Sequence, residues 1–184
     1  MSTAIARSGS NGSAPVSDYE TNMLRDDDSV SNAELIAIYE HGIEDLRKAI
    51  AGMTPEQARA RPIAGKWSTL EVIAHVTGSE IYFTDRFERT IAMDRPLLIG
   101  VDEKPYPERL KFQALELGEE LELFIALRRH ATRVLKLQAP ESWSRTAVHT
   151  ETGLITLRQL VFKSVRHVRH HLPFIAQKRD ALGI

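Results

Sequence analysis

The stretch SVRHVRHHLPFI, residues 164–175, carries three histidines, His167, His170 and His171, within five positions. Imidazole is the commonest metal-binding side chain and the one whose charge changes nearest neutral pH. On a helix, His167 and His171 lie one turn apart on one face, where their ring nitrogens can converge on a single cation. A buried pair of this kind fits two situations: chelation of a metal, or two imidazoles each satisfied by an ordinary hydrogen bond. A third histidine, His75, falls in WSTLEVIAHVTGSE, residues 67–80, with Val72, Val76, Ser79 and Phe83 on its side of the segment. Two imidazoles from one helix and one from another form a facial nitrogen set that leaves coordination positions open to water or substrate. A di-iron carboxylate bundle would need Glu-x-x-His on two helices, and that motif does not occur in the sequence.

Helices must position these rings, and the sequence marks where they start. Ser31-Asn-Ala-Glu34, Thr54-Pro-Glu-Gln57, Ser68-Thr-Leu-Glu71 and Thr156-Leu-Arg-Gln159 each have the capping-box form, in which two side chains satisfy each other's free backbone donors. Apolar periodicity predicts four long helices, over about 33–51, 69–93, 111–138 and 157–182, with a short helical turn at 55–60. In the fourth, Leu157, Leu160, Ser164, His167, Val168, His171, Phe174 and Ile175 share one stripe, while Arg158, Arg166 and Arg169 lie off it. His167 and His171 therefore point inward, and His170 sits on the shoulder. Pro173 is expected to bend this helix just beyond His171, because it removes a backbone hydrogen bond and crowds the carbonyl of Arg169. The connections 94–110 and 139–155 are expected to hold little strand. Residues 31–184 thus read as an all-α, antiparallel four-helix bundle. Residues 1–30 are rich in Ser, Gly, Asn and Asp and read as an irregular N-terminal arm.

Composition removes several function classes. With 24 basic and 25 acidic side chains and a formal net charge of -1, there is no basic footprint for nucleic acid. The chain has no cysteine, which excludes disulfides, thiolate metal sites and a cysteine nucleophile, so a metal would be held by His, Asp and Glu. No run approaches the roughly 18 apolar residues of a spanning helix, and the N-terminus lacks a signal-peptide core. The expectation is a cytoplasmic protein with a small-molecule substrate and no membrane or nucleic-acid partner.

The Trp-Ser opening of the second helix, His75 eight positions after Trp67, the His149-x-x-x-Gly153 turn and the final His167-x-x-x-His171 together resemble the DinB/YfiT-like superfamily, classed as metal-dependent hydrolases. The likeness runs from about residue 33 to the end. It implies a bundle in which His75, His167 and His171 hold a divalent metal, nickel or zinc, and in which the protein is a homodimer. Some members of that superfamily use a small thiol cofactor in transferase or isomerase reactions. Where some relatives carry a further histidine this chain has Glu80, which lies well round the helix from His75 and is not counted as a ligand.

Such a cation would activate water, or a thiol, and polarise a carbonyl. Candidate general bases are His149, in the turn before the fourth helix, and Asp102 and Glu103, in the loop after the second. Each has a plainer role available: bracing a turn for His149, solvated loop charge for Asp102 and Glu103. Glu71 is expected to serve its capping box, Tyr82 to line the pocket or the core, and Trp67 and Trp143 to pack at helix ends. His41 and His130 are expected at the surface. Leu70, Ala74 and Ile81, opposite His75, could form a dimer face or pack within the chain. The competing functional reading is a non-catalytic bundle whose histidines bind metal for stability or sensing, or bind none.

Overall fold

The computed structural model describes residues 29–184; most of the expected N-terminal arm lies outside the described residues. Four long helices dominate: α1 (Asn32–Ile50), α3 (Thr69–Ala92), α5 (Leu117–Lys136) and α6 (Leu157–Leu182), with a short α2 (Pro55–Arg59) between the first two. All four capping boxes form. Ser31, Thr54, Ser68 and Thr156 each accept from the backbone N–H three residues on, and Glu34, Gln57, Glu71 and Gln159 reach back to the cap's own N–H. Each box satisfies donors that would otherwise be lost at a helix start, which is why the sequence located these ends well.

Among the long helices, α3 packs against α5 and α6, and α1 packs against the same two. The helices consecutive along the chain, α1 and α3, therefore face each other across the bundle diagonal. Two apolar clusters fill the interior. One gathers Leu35, Tyr39, Phe83, Phe87, Leu157 and Leu160 among others; the second gathers Ile43, Leu46, Ile73, Val76, Phe124 and Ile175. Each large apolar side chain buried in this way contributes about 1.5–3 kcal/mol. Leu70 and Ala74 belong to the interior of the chain, and of the possible dimer trio only Ile81 is exposed.

The connections, expected to hold little strand, carry three short ones. β1 (Leu97–Leu98), β2 (Thr146–His149) and β3 (Gly153–Thr156) make a small sheet in the order β1-β2-β3, with β1 parallel to β2 and β2 antiparallel to β3. The hairpin closes through Gly153 at φ 75°, a conformation glycine adopts without steric cost. Ala147, His149 and Ile155 face in while Val148 and Leu154 face out, a period-2 pattern too short to stand out in sequence. Two bonds, Val148 N–H to Pro96 O and Thr150 N–H to Leu98 O, both 2.9 Å, fasten the distant 94–98 segment to the hairpin. His149 therefore ends a paired strand instead of sitting in an isolated turn. The 94–110 connection also holds a short α4 (Tyr106–Arg109).

One further difference is local. The third long helix begins at Leu117 and not near 111, because Lys111 is left-handed (φ 54°) and Leu115 and Glu116 are extended. Helix α6 runs without interruption through Pro173. Both Pro173 and Arg169 are exposed, so the carbonyl left without its helical donor can be met by water. No helix among the described residues is long and apolar enough to cross a membrane.

Candidate metal centre

His75 projects from α3, and His167 and His171 from successive turns of α6, into one space. The three Nε2 atoms form a near-equilateral triangle: 3.1 Å from His75 to His167, 3.1 Å from His75 to His171 and 3.2 Å between His167 and His171. A tetrahedral ion with bonds of about 2.0–2.1 Å sets its nitrogen ligands roughly 3.3 Å apart. The triangle is close to that size. His170 stays on the shoulder, half-buried, with its ring edge-on to His171 and Phe174.

Electrostatics favour the neutral, ligating form of each ring. Burial lowers the His75 pKa to about 4, with His170 adding repulsion, and lowers His171 to about 3, with His75 adding to it. His167 is also held well below its ordinary value, by burial first and by the other histidines next. Neutral rings with lone pairs aimed at one point repel one another unless something positive or proton-donating sits between them. The donor set, three neutral imidazoles in a buried triangle, is therefore one that a divalent cation fits.

Glu103, Ser79 and Trp67 pack around His75. Glu103 Oε2 lies 3.6 Å from His75 Nδ1, behind the ring, and Glu103 Oε1 accepts from Ser79 Oγ at 2.9 Å. The same hydroxyl is 2.9 Å from the carbonyl of His75, so Ser79 ties the carboxylate to the turn that carries the histidine. Burial raises the Glu103 pKa, with Ser79, Arg86 and Lys163 opposing the rise. The Trp67 ring packs against His75 at a centroid distance of 5.2 Å. His171 Nδ1 is buried with no protein partner among the described residues.

The triangle opens into a cavity of about 550 Å³ whose other walls include Tyr82, Phe83, Arg86, Glu103, His149 and Lys163. Of the three candidate bases, two line it. His149 is 2% exposed, and its Nδ1 accepts the Glu151 N–H at 3.3 Å. A ring whose Nδ1 accepts keeps its proton on Nε2, so this tautomer is a donor at that atom. Asp102 is exposed, accepts from the N–H of Lys104 at 3.2 Å, and does not line the cavity.

The remaining expectations divide. Glu71 serves its capping box and also pairs with Arg61. Trp143 is core. His130 pairs with Glu88 at 2.6 Å and His41 with Asp45 at 3.5 Å, both at the surface. Trp67 does more than pack, since it walls the cavity. Glu80 is buried away from the triangle, accepting from the Tyr39 hydroxyl and, at 3.1 Å, from Arg128 Nη2. Arg128 lies outside the site residues expected from the sequence. Its signal was a charged residue at 128 on the apolar stripe of Leu117, Leu121, Phe124, Ala131 and Leu135.

Comparison with known proteins agrees with this architecture. Residues 38–175 match the model of the DinB superfamily. The chain belongs to the DinB superfamily. A protein of Oceanobacillus iheyensis assigned as a metal-dependent hydrolase is 27% identical over 137 residues, which cover 72% of this chain and 79% of that one. Among solved structures, YfiT from Bacillus subtilis, assigned as a metal-dependent hydrolase with an unusual four-helix bundle topology, superposes with a TM-score of 0.78. The identity is 23%, over 86% of this chain and 93% of YfiT. A mycothiol-dependent maleylpyruvate isomerase shares the fold at a TM-score of 0.65 and 12% identity, over 79% of this chain and 60% of the isomerase.

Proposed function

We propose that this DinB superfamily protein is a metal-dependent hydrolase of a small molecule, with His75, His167 and His171 as the metal ligands. The observation that carries the reading is the Nε2 triangle of 3.1–3.2 Å opening onto a cavity. A divalent cation in such a site supplies Lewis acidity, making water nucleophilic near neutral pH and polarising a carbonyl. Three imidazoles suit zinc and nickel equally.

The chain's own groups take the other roles. Glu103 orients His75 through its Nδ1, as carboxylates behind metal-bound histidines do. Its raised pKa also suits it to accept a proton from a nucleophile in the cavity. His149, protonated at Nε2, serves as a hydrogen-bond donor to developing negative charge. This assignment reverses the expected role of His149 as a base. Asp102 has no part in the reaction, being outside the cavity.

A thiol-dependent transferase is the second reading, favoured by the fold shared with the mycothiol-dependent isomerase. The same Lewis acidity stabilises a thiolate as well as it activates water. A panel of simple esters and amides, assayed on metal-loaded protein with and without added low-molecular-weight thiols, separates the two. Turnover without thiol supports the hydrolase. Turnover only with thiol supports the transferase. If metal-loaded protein turns over nothing in either condition, the result favours a non-catalytic metal-binding bundle. Homodimerisation is a further part of the proposal, for which Ile81, 47% exposed on α3, offers a contact point.

A further inference from the structure

A second cavity, of about 360 Å³, shares Trp67 and His171 as walls with the one described above. Its walls are mainly apolar, with Ile63, Val72, Trp67 and Phe174 prominent. One wall residue is out of character. Lys178, on the last turns of α6, is only 3% exposed. A lysine is almost never buried to this degree unless it is paired. Lys178 is not paired: its Nζ donates to the Phe174 carbonyl at 2.8 Å, and no carboxylate lies within ion-pair distance among the described residues. Phe174 O is a weak counterpart for a full positive charge, and an ammonium has three donors to satisfy.

The neighbouring charges sharpen the imbalance. Lys66, exposed at the rim of the same cavity, repels Lys178. Among the described residues the acidic group that acts on it is Glu71, and that carboxylate is already bound to Arg61 and to the Ser68 N–H. A buried cation, a second cation at the mouth, an apolar wall and no acid in the lining together describe a receptor for an anion with a hydrophobic body. A phosphate would need more donors than one ammonium and a flexible rim lysine supply; a carboxylate would not.

We propose that this cavity binds the carboxylate of a small apolar acid, with Lys178 as the principal partner, Lys66 assisting at the rim, and the acid's body against Trp67, Val72 and Phe174. Since Trp67 and His171 wall both cavities, the acid would lie next to the metal centre. The site needs no metal of its own, so it stands or falls separately from the hydrolase reading.

The test uses untagged, chelator-treated protein with benzoate as the probe, followed by calorimetry and tryptophan fluorescence. The expected result is saturable one-to-one binding. Benzamide, the same shape without the charge, should bind at least about tenfold more weakly, the loss expected when a charge-assisted hydrogen bond is removed. Lys178→Met, which keeps the stem and removes the charge, should lose about the same factor. Lys66→Met, at an exposed position, should lose up to about fivefold. Absence of saturable benzoate binding, equal binding of benzamide, or undiminished binding by a folded Lys178→Met protein would each overturn the proposal. Should Lys178→Met not fold, the benzoate and benzamide comparison on the unmodified protein decides alone.

Discussion

Two buried polar clusters cross this bundle, and they are built on opposite principles. In the first, Arg128 is fully buried at the centre. It donates to Glu80 Oε2, to the carbonyl of Tyr39, and to Ser164 Oγ at 3.0 Å, with the rings of Tyr39 and Phe124 at 4.1 and 4.9 Å. The Tyr39 hydroxyl and the Ser164 hydroxyl complete the Glu80 carboxylate. This cluster takes one side chain from each long helix, and its charges cancel inside the chain. In the second, His75, His167 and His171 bring their Nε2 atoms within 3.2 Å of one another, and no cation of the described residues sits among them. Buried charges that the chain pairs hold the fold together; buried polar groups it leaves facing each other mark a candidate ligand site.

The sharpest way to break that contrast is to remove Arg128. Arg128→Met leaves Glu80 buried without its cation, so thermal or denaturant unfolding should show a loss of about 3–5 kcal/mol. A stable, native-like Arg128→Met protein would mean that the first cluster is not the structural one. Gly42 tests the same cluster more gently. A Cβ at that position would run into Arg128 Nη1, so Gly42→Ala should destabilise by about 1–3 kcal/mol instead of giving the small gain usual inside a helix. At the other cluster, Glu103→Gln should keep the fold and weaken metal affinity by about 10–100-fold, as loss of a carboxylate behind a ligating histidine does. Competition with a metal-binding dye reads this out.

A pH dependence of the metal-free protein is also expected. His75 and His171 have folded-state pKa values of about 4 and about 3, below the ordinary 6.5. Between those values the unfolded chain binds protons that the folded chain does not. Stability should therefore fall as pH drops from about 6.5 toward 4, by up to about 1.4 kcal/mol per unit for each ring. Melting of chelator-treated protein at pH 7.5 and pH 5 checks the sign; a metal-free protein stabilised by acid would contradict it.

Much of this arrangement was legible before any coordinates. The capping boxes at Ser31, Thr54, Ser68 and Thr156 set the helix starts because capping is a local contact between residues three apart. His167 and His171 were readable as inward because Arg158, Arg166 and Arg169 marked the opposite face. What the sequence did not yield depends on long-range contacts. β1 is two residues long and exists only because β2, some fifty residues later, accepts and donates to it. The sheet in turn makes His149 a fixed wall. Glu103 could be named as a candidate, but its place behind His75 depends on how the 94–110 connection folds back over α3. Asp102, its neighbour, looked equivalent in sequence and ends exposed, since a one-residue step in a loop reverses the side chain's direction. Arg128 was hidden because a charge on an apolar stripe makes sense only when Tyr39, Glu80 and Ser164 are all seen around it.

The central claim is that three imidazoles from two helices share one cation. Elemental analysis of protein purified without a polyhistidine tag, compared with the His167→Ala/His171→Ala double variant, tests it most directly. The account predicts close to one divalent ion per chain in the unmodified protein, and none in a double variant that retains its helical spectrum. An unmodified protein that holds no ion after incubation with zinc or nickel, or a double variant that holds as much as the original, would contradict it.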